Sequence, residues 1–286
     1  DLESAWSNLE RHSSPIMVGV AAVSGIVATV FATNSASGAD ASGYLSEAAQ
    51  WASRRLFHVD AVAGIVGAGD PWLTAPLGWR PSPVAGLQSP TYPPGLPLLM
   101  AVPHALGGTS AAALVVAVSA ALTVWATGLL ARCLGGGAAG VVAAITIAVC
   151  PIFLFQAMQP MSDVPVTAAW MLAWWFVLRQ GSGIGDQGSG GGERGFAGFA
   201  LAGVCCALAV LIRPNLAPLA AVLLLAIGFS VQRLAAFSLP VAIAGVAVMW
   251  LQSQWYGSPF RSGYGTAGEL FNVANVGANA ARYWSW

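Results

Sequence analysis

The stretch PPGLPLLMAVPHALGGTSAAALVVAVSAALTVWATGLLA, residues 93–131, runs 39 positions without an Asp, Glu, Lys or Arg. It holds two units. Residues Ala111–Ala131 form an apolar run of the length a helix needs, roughly 20 residues, to cross about 30 Å of hydrocarbon. Residues Pro93–Gly108 are apolar as well, but only 16 residues long and interrupted by proline. Whether that first unit crosses sets the sidedness of everything after it, and so decides the fold.

Six further segments read as spanning helices: Pro15–Thr33, Ala138–Met158, Val164–Leu178, Phe196–Ile212, Pro214–Gln232 and Leu234–Gln254. Ala, Gly and Ser fill them, which lets helices approach closely in lipid. Gly181–Gly195 carries eight glycines in 15 residues and reads as a flexible loop. No internal repeat is visible.

Bulk composition points the same way. Of 286 residues, 57% are hydrophobic and 8% charged, against roughly 25% charged in a soluble domain. There are 11 arginines, 11 acids and no lysine, so no basic face is offered to nucleic acid. Twelve tryptophans suit a protein anchored at two membrane interfaces. Cys133, Cys150, Cys205 and Cys206 lie in or beside apolar runs without metal-ligand spacing, and adjacent Cys205–Cys206 reads as small helix filler. The first run is long for a signal peptide, and its flank (Asp1, Glu3, Glu10, Arg11) lacks a basic bias. A start at Asp1 and a stop at Arg-Tyr-Trp-Ser-Trp read as part of a longer protein.

Arginine placement addresses the sidedness question. With a cytoplasmic N-terminus and Pro93–Gly108 interfacial or re-entrant, Arg11, Arg132, Arg179, Arg194 and Arg233 fall inside. Arg213 and Arg261 fall outside, a ratio of five to two near the helix ends. If Pro93–Gly108 spans, the ratio becomes three to four. The excess of inside arginine favours the first arrangement. The expectation is therefore an all-α, polytopic bundle of about seven spanning helices, forming one membrane domain over residues 1–286. Its parts are a first helix (15–33), a long external loop (34–110), six further helices (111–254), and an external loop opening a truncated segment (255–286).

That arrangement gathers the polar residues on one external face. Asp40, Tyr44, Glu47 and Trp51 share one side of a helix expected over Ala41–Leu56, although Asp40 also fits a helix cap. Asp163, two residues before Pro165, fits an ordinary helix start as well as an active-site acid. Arg213 ends one apolar run. It either snorkels or supplies paired hydrogen bonds to a phosphate. The turn-rich loop from Tyr256 to Gly265 carries Arg261 and Tyr264, in the manner of ligand-binding loops. His12, His58 and His104 are scattered. The chain shows no Gly-rich phosphate loop, nucleophile elbow or His/Cys metal spacing.

The order of these features resembles one superfamily. An Asp40–Tyr44 pair follows the first membrane helix. Then come Gln88-Ser-Pro-Thr-Tyr92-Pro-Pro-Gly-Leu-Pro, Met161-Ser-Asp163-Val-Pro, Ile212-Arg213-Pro-Asn, and Tyr256-Gly-Ser-Pro-Phe-Arg261-Ser-Gly-Tyr264. This is similar to the C-type membrane glycosyltransferases, in the branch of bacterial protein-mannosyltransferase-like and aminoarabinose-transferase-like enzymes, over about Pro15 to Tyr264. The resemblance implies transfer of a sugar from a polyprenyl-phosphate carrier to an acceptor on the outer face of the bacterial inner membrane, with inversion. It implies Asp40 as the acid that takes the acceptor's proton, Asp163 as a second acid, and Arg213 facing the lipid phosphate. Tyr44, Glu47, Tyr92, Arg261 and Tyr264 are the accompanying substrate-binding candidates. The aminoarabinose enzymes carry a lysine at the proline-rich motif, where this chain has Tyr92.

No cofactor is required by the sequence. Two acids on one face leave room for a divalent cation without establishing one. The partners implied are a lipid-linked donor and membrane lipids, with the acceptor unspecified. A transporter or flippase of lipid-linked sugars would place its polar residues mid-helix, near the bilayer midplane. A membrane scaffold subunit would require nothing of Asp40.

Overall fold

Alanine- and leucine-rich runs without internal charge form the helices, and proline and glycine set where they bend or stop. The structure is a computed structural model describing residues 2–33, 35–36, 38–62, 65, 70–181, 193–270 and 272–285. Most of the expected Gly181–Gly195 loop, positions 182–192, lies outside the described residues.

The chain is mostly helical. A short α1 (Leu2–Arg11) leads into α2 (Ser13–Val30), and α3 (Gly38–Ala52) follows. Next come the short strands β1 (His58–Val59), β2 (Trp79–Pro81) and β3 (Leu87–Pro90), an antiparallel sheet in the order β1-β3-β2. Helix α4 (Gly95–Ala148) is one helical run of 54 residues, but its backbone leaves helical geometry at Gly107–Gly108 and Gly135–Gly136. Gly108 and Gly136 adopt φ of 67° and 85°, left-handed values open to glycine at little cost. Residues 95–106 are thus a separate arm of the run. Helices α5 (Pro151–Ala157), α6 (Asp163–Gly181), α7 (Glu193–Ile212), α8 (Leu219–Ile227) and α9 (Val231–Tyr256) complete the body. A hairpin of β4 (Arg261–Ser262) and β5 (Gly265–Thr266) comes next, then α10 (Ala267–Leu270) and α11 (Ala274–Trp284).

Among the described residues, three helices are long and apolar enough to cross a membrane: Ser13–Val30, Gly95–Ala148 and Val231–Tyr256. This corrects the expectation of seven spans. Pro151 follows a break at Val149–Cys150, so residues 138–158 are not one helix. The segment Pro214–Gln232 is cut by a short 3-10 turn at its start and by Gly228, leaving the nine-residue α8. Phe196–Ile212 is a shorter apolar helix. Hydropathy along the chain measures apolar length, whereas backbone continuity depends on single prolines and glycines.

Small residues set the packing. Met17 of α2 lies against Gly128 and Gly140 of α4, where a Cβ at Gly128 would stand 2.7 Å from the Met17 sulfur. Beyond the start of α2, the Glu10 carboxylate accepts the Gly137 and Ala138 amides at 2.7 and 2.9 Å, satisfying donors a helix start leaves open. Arg132 donates to Ser14 at the same end. Gly203 of α7 meets the backbone of Phe237 in α9. One apolar cluster runs through α2, α4, α6, α7, α8 and α9. A smaller one joins Leu251, Trp255 and Tyr256 to Trp51, Leu56 and Phe57 of the loop layer.

Candidate active site

Gly43 and Gly78 allow α3 to lie directly on the proline-rich segment. A side chain at Gly43 would collide with the Tyr92 ring. In its absence the Tyr44 and Tyr92 rings sit 5.0 Å apart, and the Tyr92 hydroxyl donates to Asp40 Oδ1 at 2.5 Å. Asp40 lies in the first turn of α3. The next motif is held just as closely, because a Cβ on Gly95 would strike the backbone of Leu211 and Ile212. That contact brings the start of α4 against the end of α7, beside Arg213.

Asp163 opens α6 and Arg213 follows the last residue of α7. The two ends meet in an ion pair of 2.8 Å, each side chain about one-third exposed. Acid at a helix start and base at a helix end are each favoured by the helix dipole. Arg213 Nε also donates to Ser162 Oγ at 2.9 Å, and the Tyr44 hydroxyl donates to the same oxygen at 3.0 Å. Ser162 is fully buried. Asp40, Tyr92, Tyr44, Ser162, Arg213 and Asp163 are therefore linked in one continuous set of hydrogen bonds and ring contacts.

This set borders a cavity of about 450 Å³ lined by Asp40, Tyr44, Tyr92, Arg213 and Tyr264, with Gln252, Trp255 and others from the end of α9. The Tyr264 ring meets Tyr92 edge-on at 6.1 Å. Val248 and Leu251 line its apolar side. Burial raises the pKa of Tyr44, Tyr92 and Tyr264, with nearby Asp40 adding to each shift. The phenols accordingly stay protonated and act as donors at neutral pH.

Three sequence candidates do not line the cavity. Asp163 reaches it only through Arg213. Arg261 is exposed on the β4–β5 hairpin. Glu47 is fully buried two turns beyond Asp40, where its Oε1 accepts from the Trp51 indole at 3.0 Å and its Oε2 has no partner. Burial pushes the Glu47 carboxyl up to about 8, partly opposed by the Trp51 hydrogen bond.

Other residues here carried no sequence signal. Ser162 is an ordinary serine beside an expected helix start. Gln252 lies within the expected Leu234–Gln254 span, legible only as apolar helix, and Trp255 falls at the start of the expected external loop. Arg80 donates to the carbonyls of Ser262 and Gly263, a contact spanning more than 180 positions that no local pattern announces. Among the described residues, no cluster of three or more His, Cys, Asp and Glu side chains could hold a metal ion. No family model, curated protein or solved structure matches the chain.

Proposed function

We propose that the chain is a multi-pass glycosyltransferase of the bacterial inner membrane. It moves a sugar from a polyprenyl-phosphate donor to an acceptor on the external face, with inversion at the anomeric carbon. The observation that carries this reading is that Asp40 and Arg213 line one cavity together with several phenols and the apolar side chains of Val248 and Leu251. An amphipathic donor suits such a cavity, with its charged head against the guanidinium and its hydrocarbon toward the apolar helices.

In the reaction, the acceptor oxygen forms a bond to the anomeric carbon while Asp40 takes its proton. The bond from that carbon to the phosphate oxygen breaks, and the phosphate leaves with the electron pair. Arg213 stabilises the charge that accumulates there. Tyr92 holds the Asp40 carboxylate, and Asp163 with Ser162 holds the guanidinium. The protein's own groups thus supply a base and an electrostatic partner in one cavity.

The test is transfer of labelled sugar from polyprenyl phosphate by the full-length protein, normalised to membrane-inserted protein. Asp40→Asn keeps the shape and an oxygen for the Tyr92 hydroxyl while removing the proton acceptor, so transfer should fall roughly 10²–10⁴-fold. Arg213→Ala should raise the donor KM, and Arg213→Lys should restore it only in part, because paired donation is lost. Full activity in Asp40→Asn overturns the assignment of the base. An intact protein that transfers no sugar from any lipid-linked donor overturns the enzyme reading in favour of transport or scaffolding.

A further inference from the structure

Tyr264 is the one cavity-lining phenol outside the helical body and the Tyr44–Tyr92 segment. It sits on the β4–β5 hairpin, whose strands are two residues each. An isolated hairpin of that length does not hold its shape in water, so something else must fix Tyr264 at the cavity. Two contacts do so. A side chain on Gly263 would overlap the Thr91 carbonyl, so the turn of the hairpin lies flat on the residue preceding Tyr92. On the same turn, Arg80 Nη1 donates to the Gly263 carbonyl, and to that of Ser262 at 3.4 Å.

Arg80 is itself firmly placed. It belongs to β2, paired across the sheet with Ser89 of β3. Its guanidinium lies 5.4 Å from the ring centre of Trp72 and 5.5 Å from that of Tyr256. Ser89 in turn donates to the Trp255 carbonyl at 3.0 Å, and the Tyr256 hydroxyl to the Pro90 carbonyl at 2.7 Å. Helix α9, the loop sheet and the hairpin are therefore joined around one guanidinium. A planar, delocalised cation is suited to this place, because it stacks on two aromatic faces while donating along its edge.

We infer that Arg80 is a positioning residue for the cavity: it pins the Ser262–Gly263 turn and thereby holds Tyr264 against Tyr92, which holds Asp40. Arg80 is not among the cavity-lining residues, so it acts on the cavity only through its neighbours, the hairpin and the Tyr256 ring. Its effect on catalysis rests on the glycosyltransferase reading above, whereas its effect on the hairpin does not.

The experiment separates the two. Hydrogen exchange of the full-length protein in detergent follows the amides of residues 261–266, and sugar transfer is measured in parallel. In Arg80→Ala, exchange across the hairpin should rise at least about tenfold while exchange in α6 and α7 stays unchanged, as expected for loss of a local anchor. Arg80→Lys keeps the charge but loses the planar stack, and should fall between the two. In transfer, the donor KM should rise by about tenfold with kcat changed much less, the pattern of lost binding geometry. Wild-type exchange in Arg80→Ala overturns the proposal. So does a loosened hairpin with an unchanged donor KM. If the unaltered protein transfers no sugar, the enzyme reading fails, and the exchange data still decide whether Arg80 pins the hairpin.

Discussion

Glu47 illustrates what a single residue can reveal. Its carboxyl is fully buried, and burial holds its proton up to about 8 in the folded chain against an ordinary 4.5. Between those values the unfolded chain has released the proton and the folded chain has not, so stability falls as pH rises across that window. The slope approaches about 1.4 kcal/mol per pH unit for one proton. Glu47→Gln preserves an oxygen for the Trp51 indole and removes the titration. Its thermal midpoint relative to the unaltered protein should therefore rise steadily from pH 5 to pH 8 in detergent. A constant difference across that range would show that Glu47 does not titrate there. Sequence reading set Asp40, Tyr44, Glu47 and Trp51 on one side of a helix, and the helical period made that legible. What covers each turn was not legible. Asp40 and Tyr44 meet a cavity, while Glu47 lies in the protein interior. Tyr92 offers a complementary test. Tyr92→Phe keeps the ring against Tyr44 and deletes the donor to Asp40, so transfer should fall by roughly tenfold, the value of a hydrogen bond to a charged group.

At the scale of elements, close backbone approach at glycine governs the site. Gly95→Ala would force α4 away from Leu211 and Ile212, and overpacking of this kind costs typically 1–3 kcal/mol. The expected result is a lower melting temperature together with a raised donor KM, because Arg213 adjoins that contact. A rise in KM without any loss of stability would contradict a steric origin. The same residue type explains why the expected spans and the observed helices differ. The apolar segments were found at the right places, since composition marks them plainly. Their continuity depends on Pro151, Pro214, Gly228 and the paired glycines of α4, each a single position inside an apolar run. The short strands between α3 and α4 were not expected at all, because two to four residues leave too little alternating pattern to read.

For the whole molecule, the proposed orientation predicts that Asp40, Asp163, Arg213 and Arg261 face one side of the membrane. Single cysteines at these positions, in a background without Cys133, Cys150, Cys205 and Cys206, should label from outside the cell. Labelling of Asp40→Cys and Asp163→Cys from opposite sides would refute both the orientation and the shared site. The cavity also has a history in time. Asp40 and Tyr264 are separated by 224 positions, and at 5–20 residues per second a ribosome needs roughly 11–45 s to make that interval. Once Tyr92 has been made, early in that interval, it and Asp40 can meet, while Arg80 waits beside Trp72 for carbonyls not yet synthesised. A nascent chain arrested after Tyr256 should consequently hold Asp40 and Arg213, the proposed base and phosphate partner, yet leave the cavity without Tyr264.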